Sequence, residues 1–319
     1  MCVYLLKLPA ESKKFIAFLE TDVFHQPIES ARQFAHGSAS ENFVITVNHK
    51  RYIVKLIHRE QKSEIERLVR IYDSLTQNDA IRTTSIIHLN QSAYFTYHHH
   101  FGIVMEYCNG RSLPSYKITK RHFGEILYTY KCFQKLRWHN SQDILPAYRI
   151  PEKINNLIQI VQKSARTPNT FIFRFFNGAF LHKTLLNFLS QMKVDNLDFA
   201  TSSVLHGDFH NNNLLFQNDK LSAVLDFEEI RYGYPTQDLI RYIICLVQRL
   251  PVFINPFSVF KEWLILADTS FHFSTDEWIY GLDTYYVIRT EKLFRKLNKK
   301  NKFNRLLKLW QLYFSILQY

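Results

Sequence analysis

Apolar and polar residues alternate over Phe43-Val44-Ile45-Thr46-Val47 and again over Tyr52 to Ile57, with the polar tetrad Asn48-His49-Lys50-Arg51 between them. Two runs of period two around an Asn-led turn predict a β-hairpin. Upstream, Phe15, Phe18 and Leu19 fall on one side of a helical pattern, which predicts helix over residues 11–33. Downstream, Glu64, Leu68, Ile71 and Leu75 stand at i, i+4, i+7 and i+11, one face of a helix, and Ser63-x-x-Glu66 matches a capping box at its start. Ser92 to Tyr97 and Gly102 to Tyr107 read as two more strands. Helical periods then dominate: Thr119 to Trp138, residues 151–164 and 180–193, Leu239 to Leu250, and most of Glu277 to Tyr319, the last led by a second capping box, Ser274-x-x-Glu277. They are interrupted by the strand-like Ser203-Val204-Leu205 and by a second hairpin, Leu214 to Phe216 and Leu221 to Leu225 around a turn at Gln217 to Lys220. A strand-rich first part followed by a helix-rich remainder is an α+β arrangement.

With 319 residues and 46% apolar composition the chain can bury one large core or two lobes. No run approaches the roughly 18–20 apolar residues of a membrane helix, and the apolar stretch in Met1 to Lys7 is too short for a signal peptide. Four cysteines, Cys2, Cys108, Cys132 and Cys245, lie far apart without a Cys-x-x-Cys, which argues against zinc and a disulfide framework and predicts a reducing, cytoplasmic setting. His98-His99-His100 has no nearby cysteine or carboxylate to complete a metal site and reads as a loop or strand-end cluster. The net charge of +12 is concentrated late: Arg289 to Lys308 holds nine basic residues and one acid, at partly helical spacing over an apolar face. A solvated helix face explains this. The alternative is attraction of an anionic acceptor or a membrane surface to Arg289–Lys308. Nucleic acid is disfavoured, because no recognition motif accompanies the charge.

The chemistry concentrates at two strand ends. Val204-Leu205 runs into His206-Gly207-Asp208-Phe209-His210-Asn211-Asn212-Asn213, and Val224-Leu225 runs into Asp226-Phe227-Glu228. Moving a phosphoryl group from ATP needs a carboxylate beside the acceptor hydroxyl and oxygen ligands for the cations on the phosphates. His206-x-Asp208 followed by Asn213, and then Asp226-Phe227, resemble the catalytic loop and metal-binding aspartate of protein-kinase-like phosphotransferases. The resemblance implies that Asp208 serves the hydroxyl and that Asn213 and Asp226 hold Mg²⁺, a hard ion suited to oxygen donors. It places His210 where protein kinases carry a lysine aimed at the transferring phosphate, and Lys55 where a strand lysine contacts the phosphates of ATP. Glu64, leading an inward face, is the expected partner of Lys55; Glu66 is the competitor, explained by capping. Ile103 to Leu113 resembles the hinge that binds adenine, with the Glu106 carbonyl and Cys108 N–H as its contacts.

Only eleven residues separate Asp226 from Asp238, too few for the activation segment of a protein kinase. Gly233-Tyr234-Pro235-x-x-Asp238-Leu239, together with His206-Gly207-Asp208, instead resembles the aminoglycoside phosphotransferase and choline kinase group, over residues 37–245. In that group Asp238 and His206 are implied to hold the catalytic loop. Two departures stand out: no Gly-x-Gly-x-x-Gly phosphate loop, and Asn211-Asn212 where Pro-Gly is often found. The resemblance implies a bilobal α+β fold with residues 1–105 as a small antiparallel-sheet nucleotide lobe with one main helix. Residues 106–110 would be the hinge, and 111–319 a larger, mostly helical catalytic and acceptor lobe. It implies transfer of the γ-phosphate of ATP, with Mg²⁺, to a hydroxyl of a small molecule or glycoconjugate. The alternatives are a non-catalytic kinase-like nucleotide-binding module and a basic nucleic-acid-binding protein. Against the first, Lys55, Asp208, Asn213 and Asp226 are all present. The acceptor stays open: an aminoglycoside, a polycation, calls for an acidic pocket that this charge balance does not announce, and choline calls for aromatic walls that core packing explains equally well.

Overall fold

The structure is a computed structural model describing residues 9–36, 40–57, 61–77, 81–136, 138, 141–148, 150–165, 203–251, 254–294, 312–313 and 316. The chain divides into two compact units: residues 1–113, 119–143 and 212–228 form the first, and 114–118, 144–211 and 229–319 the second. The division is not the single cut expected at residues 106–110, since a helix and a hairpin from later in the chain group with the first unit.

The first unit is built on a five-stranded antiparallel sheet of β1 (Ser30–His36), β2 (Ser40–Val47), β3 (Lys50–Ile57), β4 (Phe95–Tyr97) and β5 (His100–Glu106), in the order β1-β2-β3-β5-β4. β2 and β3 are joined by Asn48-His49, both with positive φ (47° and 60°). Asn tolerates that left-handed geometry, and a two-residue turn of this kind matches the twist of the strands. The turn is thus two residues shorter than the tetrad suggested. β3 is central, with Lys55 opposite Asn42 of β2 and Ile103 of β5. One face of the sheet carries Phe43, Ile45, Val54, Leu56 and Val104 against Phe15, Ile16 and Leu19 of α1 (Ala10–Phe18) and its π-helical extension to Val23. Each such side chain contributes roughly 1.5–3 kcal/mol of burial.

The expected helix over 11–33 therefore ends at Val23, and Ser30–His36 is strand. Its sequence, Ser-Ala-Arg-Gln-Phe-Ala-His, has no marked strand propensity; pairing with β2 over Ser30↔Thr46 to Phe34↔Asn42 decides the matter. α2 (Lys62–Thr76) buries Ile65, Leu68, Ile71, Tyr72 and Leu75 as the pattern predicts. Its N-cap, however, is Gln61, with no side-chain cap, so Ser63 sits inside the helix and the expected capping box does not form. α3 (Lys120–Gln134) starts at Thr119, whose hydroxyl accepts from the His122 N–H. It packs on the hairpin β7 (Leu214–Gln217) and β8 (Lys220–Val224), where the His122 ring meets Phe216 edge-on. The hairpin turns through Asn218 and Asp219, again with positive φ (51° and 60°).

The second unit pairs two short strands, β6 (Ser203–Leu205) and β9 (Arg231–Gly233), in antiparallel fashion. β9 was not anticipated. Its helices are α4 (Ile150–Ala165), α5 (Pro235–Val247), α6 (Pro256–Phe271) and α7 (Thr275–Phe294). α6 was also missed, although Asn255 caps it by accepting from the Phe257 and Ser258 N–H groups and Pro256 follows at the first helical position. The Ser274–Glu277 box does form: the Glu277 N–H donates to the Ser274 hydroxyl, and Glu277 takes the Ser274 N–H. α5 and α7 approach closely at Gly281, where a Cβ would stand 2.8 Å from Thr236. Lys153 of α4 pairs with Glu291 of α7 at 3.0 Å. Among the described residues no helix is long and apolar enough to cross a membrane. The expected helix over 180–193 and basic residues 295–308 lie outside the described residues.

Candidate functional site

The first unit gathers Lys55, Asn213, Asp226, Glu106 and Cys108. Lys55 is almost fully buried mid-strand, with its ammonium 3.0 Å from Asp226 Oδ1 and in contact with the Glu228 carboxylate. Burial opposes the charge, but Glu228 and Asp226 together outweigh it and hold the ammonium well above its ordinary range. The partners of Lys55 are thus Asp226 and Glu228, in place of the expected Glu64, which is half-buried on α2 beside Arg67 and Gln61. Glu66 pairs with Lys62 at 3.3 Å. α2 nonetheless reaches the site. Tyr72 meets the Phe227 ring edge-on and is pushed up to about 12 by burial, and Arg67 donates to the carbonyls of Asp143 (2.9 Å) and Glu228 (2.8 Å). Arg70 grips the Asp143 carboxylate with Nε and Nη2. Helix and Asp226-Phe227-Glu228 turn are therefore one hydrogen-bonded assembly.

Asp226 has φ 68°. A left-handed aspartate costs of order 1 kcal/mol, and here it ends the strand run and leaves the carboxylate partly exposed. The Leu225 N–H donates to the Asn213 carbonyl at 2.8 Å, which ties the two expected metal ligands by their backbones. Asp226 spends Oδ1 on Lys55, and among the described residues nothing claims Oδ2. Two oxygen donors, one of them a carboxylate with a spare oxygen, fit a hard divalent cation. In the expected adenine segment, the Glu106 carbonyl already accepts the Thr84 hydroxyl (2.6 Å) and the Glu106 N–H donates to Ser85. A carbonyl has a second lone pair for another donor. Cys108 is half-buried, and burial raises its thiol. Arg51 lies over the Tyr107 ring and donates to Asn109, which fixes the chain after β5.

The second unit holds the loop His206–Asn211. Asp238, buried on the first turn of α5, accepts the His206 N–H with Oδ2 (2.7 Å) and the Gly207 N–H with Oδ1 (3.1 Å). Burial pushes its carboxyl up, against the offsetting pull of His206 and these N–H groups. His206 is buried, and its Nδ1 accepts the Asp208 N–H at 3.2 Å. Asp208 is presented at the loop's tip, where Arg241 Nη2 contacts Oδ1 and His210 Nε2 stands 3.4 Å from Oδ2. Burial works against its charge, but the His210 hydrogen bond and the Arg241 guanidinium prevail and hold the carboxyl well below the ordinary range. Asp208 is thus a persistent, charged hydrogen-bond acceptor. The structure brings His210 against Asp208.

Sequence reasoning missed Glu228 and Arg241. Arg241 also donates to the Gly207 carbonyl at 3.2 Å. It stands three residues after Asp238, one helical turn along the same face, a signal that the spacing contained. Glu228 lies two residues beyond Asp226, within the quoted Asp226-Phe227-Glu228 run, while the helical face pointed to Glu64 as the partner of Lys55.

Gly207 has φ 78°, and a Cβ there would lie 2.0 Å from the Glu229 carbonyl oxygen. Gly207→Ala is therefore expected to destabilise the fold by about 1–3 kcal/mol and to misplace Asp208. A thermal unfolding scan checks this; an unchanged midpoint would show that the loop does not depend on this close approach.

Three comparisons bear on the arrangement. The phosphotransferase enzyme family model APH matches residues 30–254. The chain shares its fold with amicoumacin kinase hAmiN in complex with AMP-PNP, Ca²⁺ and Ami, at TM-score 0.69 and 11% identity, covering 97% of this chain and 95% of that one. It also matches spectinomycin phosphotransferase APH(9)-Ia in complex with ADP and spectinomycin, at TM-score 0.66 and 14% identity, covering 97% and 94%. A thermostable mutant of aminoglycoside phosphotransferase APH(4)-Ia with ADP and hygromycin B aligns at TM-score 0.64 and 12% identity, covering 95% and 97%. The fold is the bilobal α+β, protein-kinase-like one that the motifs implied. A sequence search of curated proteins finds no match.

Proposed function

The chain belongs to the phosphotransferase enzyme family, and from that premise we propose that it transfers the γ-phosphate of ATP, with Mg²⁺, to a hydroxyl of a small molecule or glycoconjugate. The observation that carries this reading is Asp208: a carboxylate held charged on a loop clamped by Asp238, with Asn213 and Asp226 further along the same chain as oxygen donors. Relatives of the fold were crystallised with AMP-PNP or ADP, which supports nucleotide binding.

Each group has a task in this proposal. Lys55 binds the nucleotide phosphates as a fixed cation, and Glu228 and Asp226 keep it charged and in place. Asn213 and Asp226 hold the metal, which neutralises charge on the phosphates when bound. The Glu106 carbonyl and Cys108 N–H take the adenine edge. Asp208 orients the acceptor hydroxyl and takes its proton, and His210, hydrogen-bonded to Asp208, steadies that carboxylate. A cytoplasmic setting belongs to the same proposal and rests on the dispersed cysteines.

The test is a panel of hydroxyl compounds (aminoglycosides, sugars, amino alcohols, sugar phosphates) incubated with MgATP and read by product mass. The expected result is one acceptor class gaining a phosphoryl group. Nucleotide bound tightly with no acceptor and no MgATP hydrolysis would favour the non-catalytic module instead.

A further inference from the structure

Behind the catalytic loop the second unit contains a small cavity of about 40 Å³ that opens to solvent. Its walls carry four basic side chains, Arg231, Arg241, Arg289 and Lys292, with Tyr148 and Tyr285 among the rest. The Gly207 backbone also lines it, and Arg241 touches Asp208, so it adjoins the group assigned to the acceptor hydroxyl.

The three nearby carboxylates are already engaged. Asp238 holds the His206 and Gly207 N–H groups. Glu229 is paired with Arg231 at 2.7 Å, and Asp208 with Arg241 and His210. Arg231 also has its Cζ over the Tyr148 ring, 3.7 Å from its centre, which helps to hold its guanidinium. Arg289 and Lys292 remain, one helical turn apart on α7, and among the described residues no carboxylate pairs with either. Lys292 keeps much of its surface in solvent, yet burial and then the like charge of Arg241 push its ammonium down, against the pull of Glu229 and Asp208. The buried Arg241 Nε–H has no acceptor among the described residues. Two cations with no carboxylate of their own, Arg289 and Lys292, beside space that adjoins a reactive group, favour an anion in that space.

We propose that this cavity seats an anionic group of the acceptor, a phosphate or a carboxylate, with Arg289 and Lys292 as its specificity-determining residues. The proposal deepens the phosphotransferase reading and rests on it for the identity of the occupant as an acceptor. It gives the +12 chain a use for two basic residues that a solvated helix face leaves idle.

The test is calorimetric binding to the full chain saturated with MgADP, using orthophosphate, methyl phosphate and acetate as probes and methanol as the neutral control. Wild type is expected to bind at least one of the anions and not methanol, and the preferred anion tells phosphate from carboxylate. Arg289→Gln/Lys292→Gln is expected to weaken that binding by about tenfold or more, a loss that rising salt imitates. Arg289→Lys/Lys292→Arg, which keeps both charges, is expected to retain it. Anions that do not bind, or that bind wild type and the Gln pair alike, overturn the proposal, since the site would then be empty or elsewhere. The saturating MgADP titration separates the two ideas: failure to bind nucleotide removes the phosphotransferase reading, whereas nucleotide binding without a variant-sensitive anion removes only this one.

Discussion

Asp208→Asn is expected to lower kcat for phosphoryl transfer by at least about a hundredfold, the usual scale of losing a general base, and to leave MgATP affinity nearly unchanged. The substitution keeps shape and one oxygen but removes the charge that Arg241 and His210 hold. The proposed nucleotide and metal ligands Lys55, Asn213 and Asp226 belong to the other unit. Transfer at near wild-type rate would show that the hydroxyl proton goes elsewhere. The pH dependence adds an independent check. A carboxyl held below its ordinary value contributes its stabilisation above the unfolded value of about 3.9, and the contribution is lost as pH falls through the folded value. Asp208 should therefore stay charged in mildly acid solution and set no acid limb there. Arg241→Gln removes one of the groups that keep it low and should move an acid limb upward in pH. An unchanged profile in that variant would show that His210 and His206 hold the charge without Arg241.

Asp226→Ala is expected to abolish Mg²⁺-dependent nucleotide binding. It deletes the proposed charged metal ligand and one of the two carboxylates on buried Lys55, and it puts alanine at φ 68°. Asp226→Asn separates the causes, because Asn tolerates the left-handed backbone and keeps an oxygen, so a remaining loss belongs to the charge. Asn213→Ala should weaken binding less, since a neutral amide contributes less to a hard cation. Calorimetric titration with ATP, with Mg²⁺ or with a chelator, reads all three. Wild type should bind far more tightly with the metal, and Asp226→Ala should show little difference between the two conditions. Equal MgATP affinity in wild type and Asp226→Ala would remove the metal role.

Where the sequence spoke clearly, local chemistry and tertiary structure agreed. Asn48 and Asn218 start left-handed turns in two hairpins, and the face of Leu68, Ile71 and Leu75 is buried on α2. The motif around Asp208 folds into a loop because Asp238, thirty residues on, accepts its N–H groups; the helix that carries Asp238 begins at Pro235, four residues before the expected Leu239. What was not legible depended on partners distant in sequence. Ser30–His36 becomes strand only because β2 offers an edge, and Ser63 fails as a cap because the helix begins one residue before it. Glu64 satisfied a helical face and a family expectation, but Lys55 is met by Asp226 and Glu228 from 171 and 173 residues away along the chain. No periodicity encodes such a pairing. The cationic cavity likewise joins β9, α5 and α7, whose basic residues look unrelated when read in order.

The most direct measurement follows ATP labelled in its γ-phosphate, mixed with the wild-type chain and a pool of small hydroxyl compounds, with Mg²⁺ or with a chelator. The account predicts label in one class of small molecule, dependent on Mg²⁺ and lost in Asp208→Asn. Label that stays in ATP while the chain binds MgATP, or that moves equally well in Asp208→Asn, would contradict it.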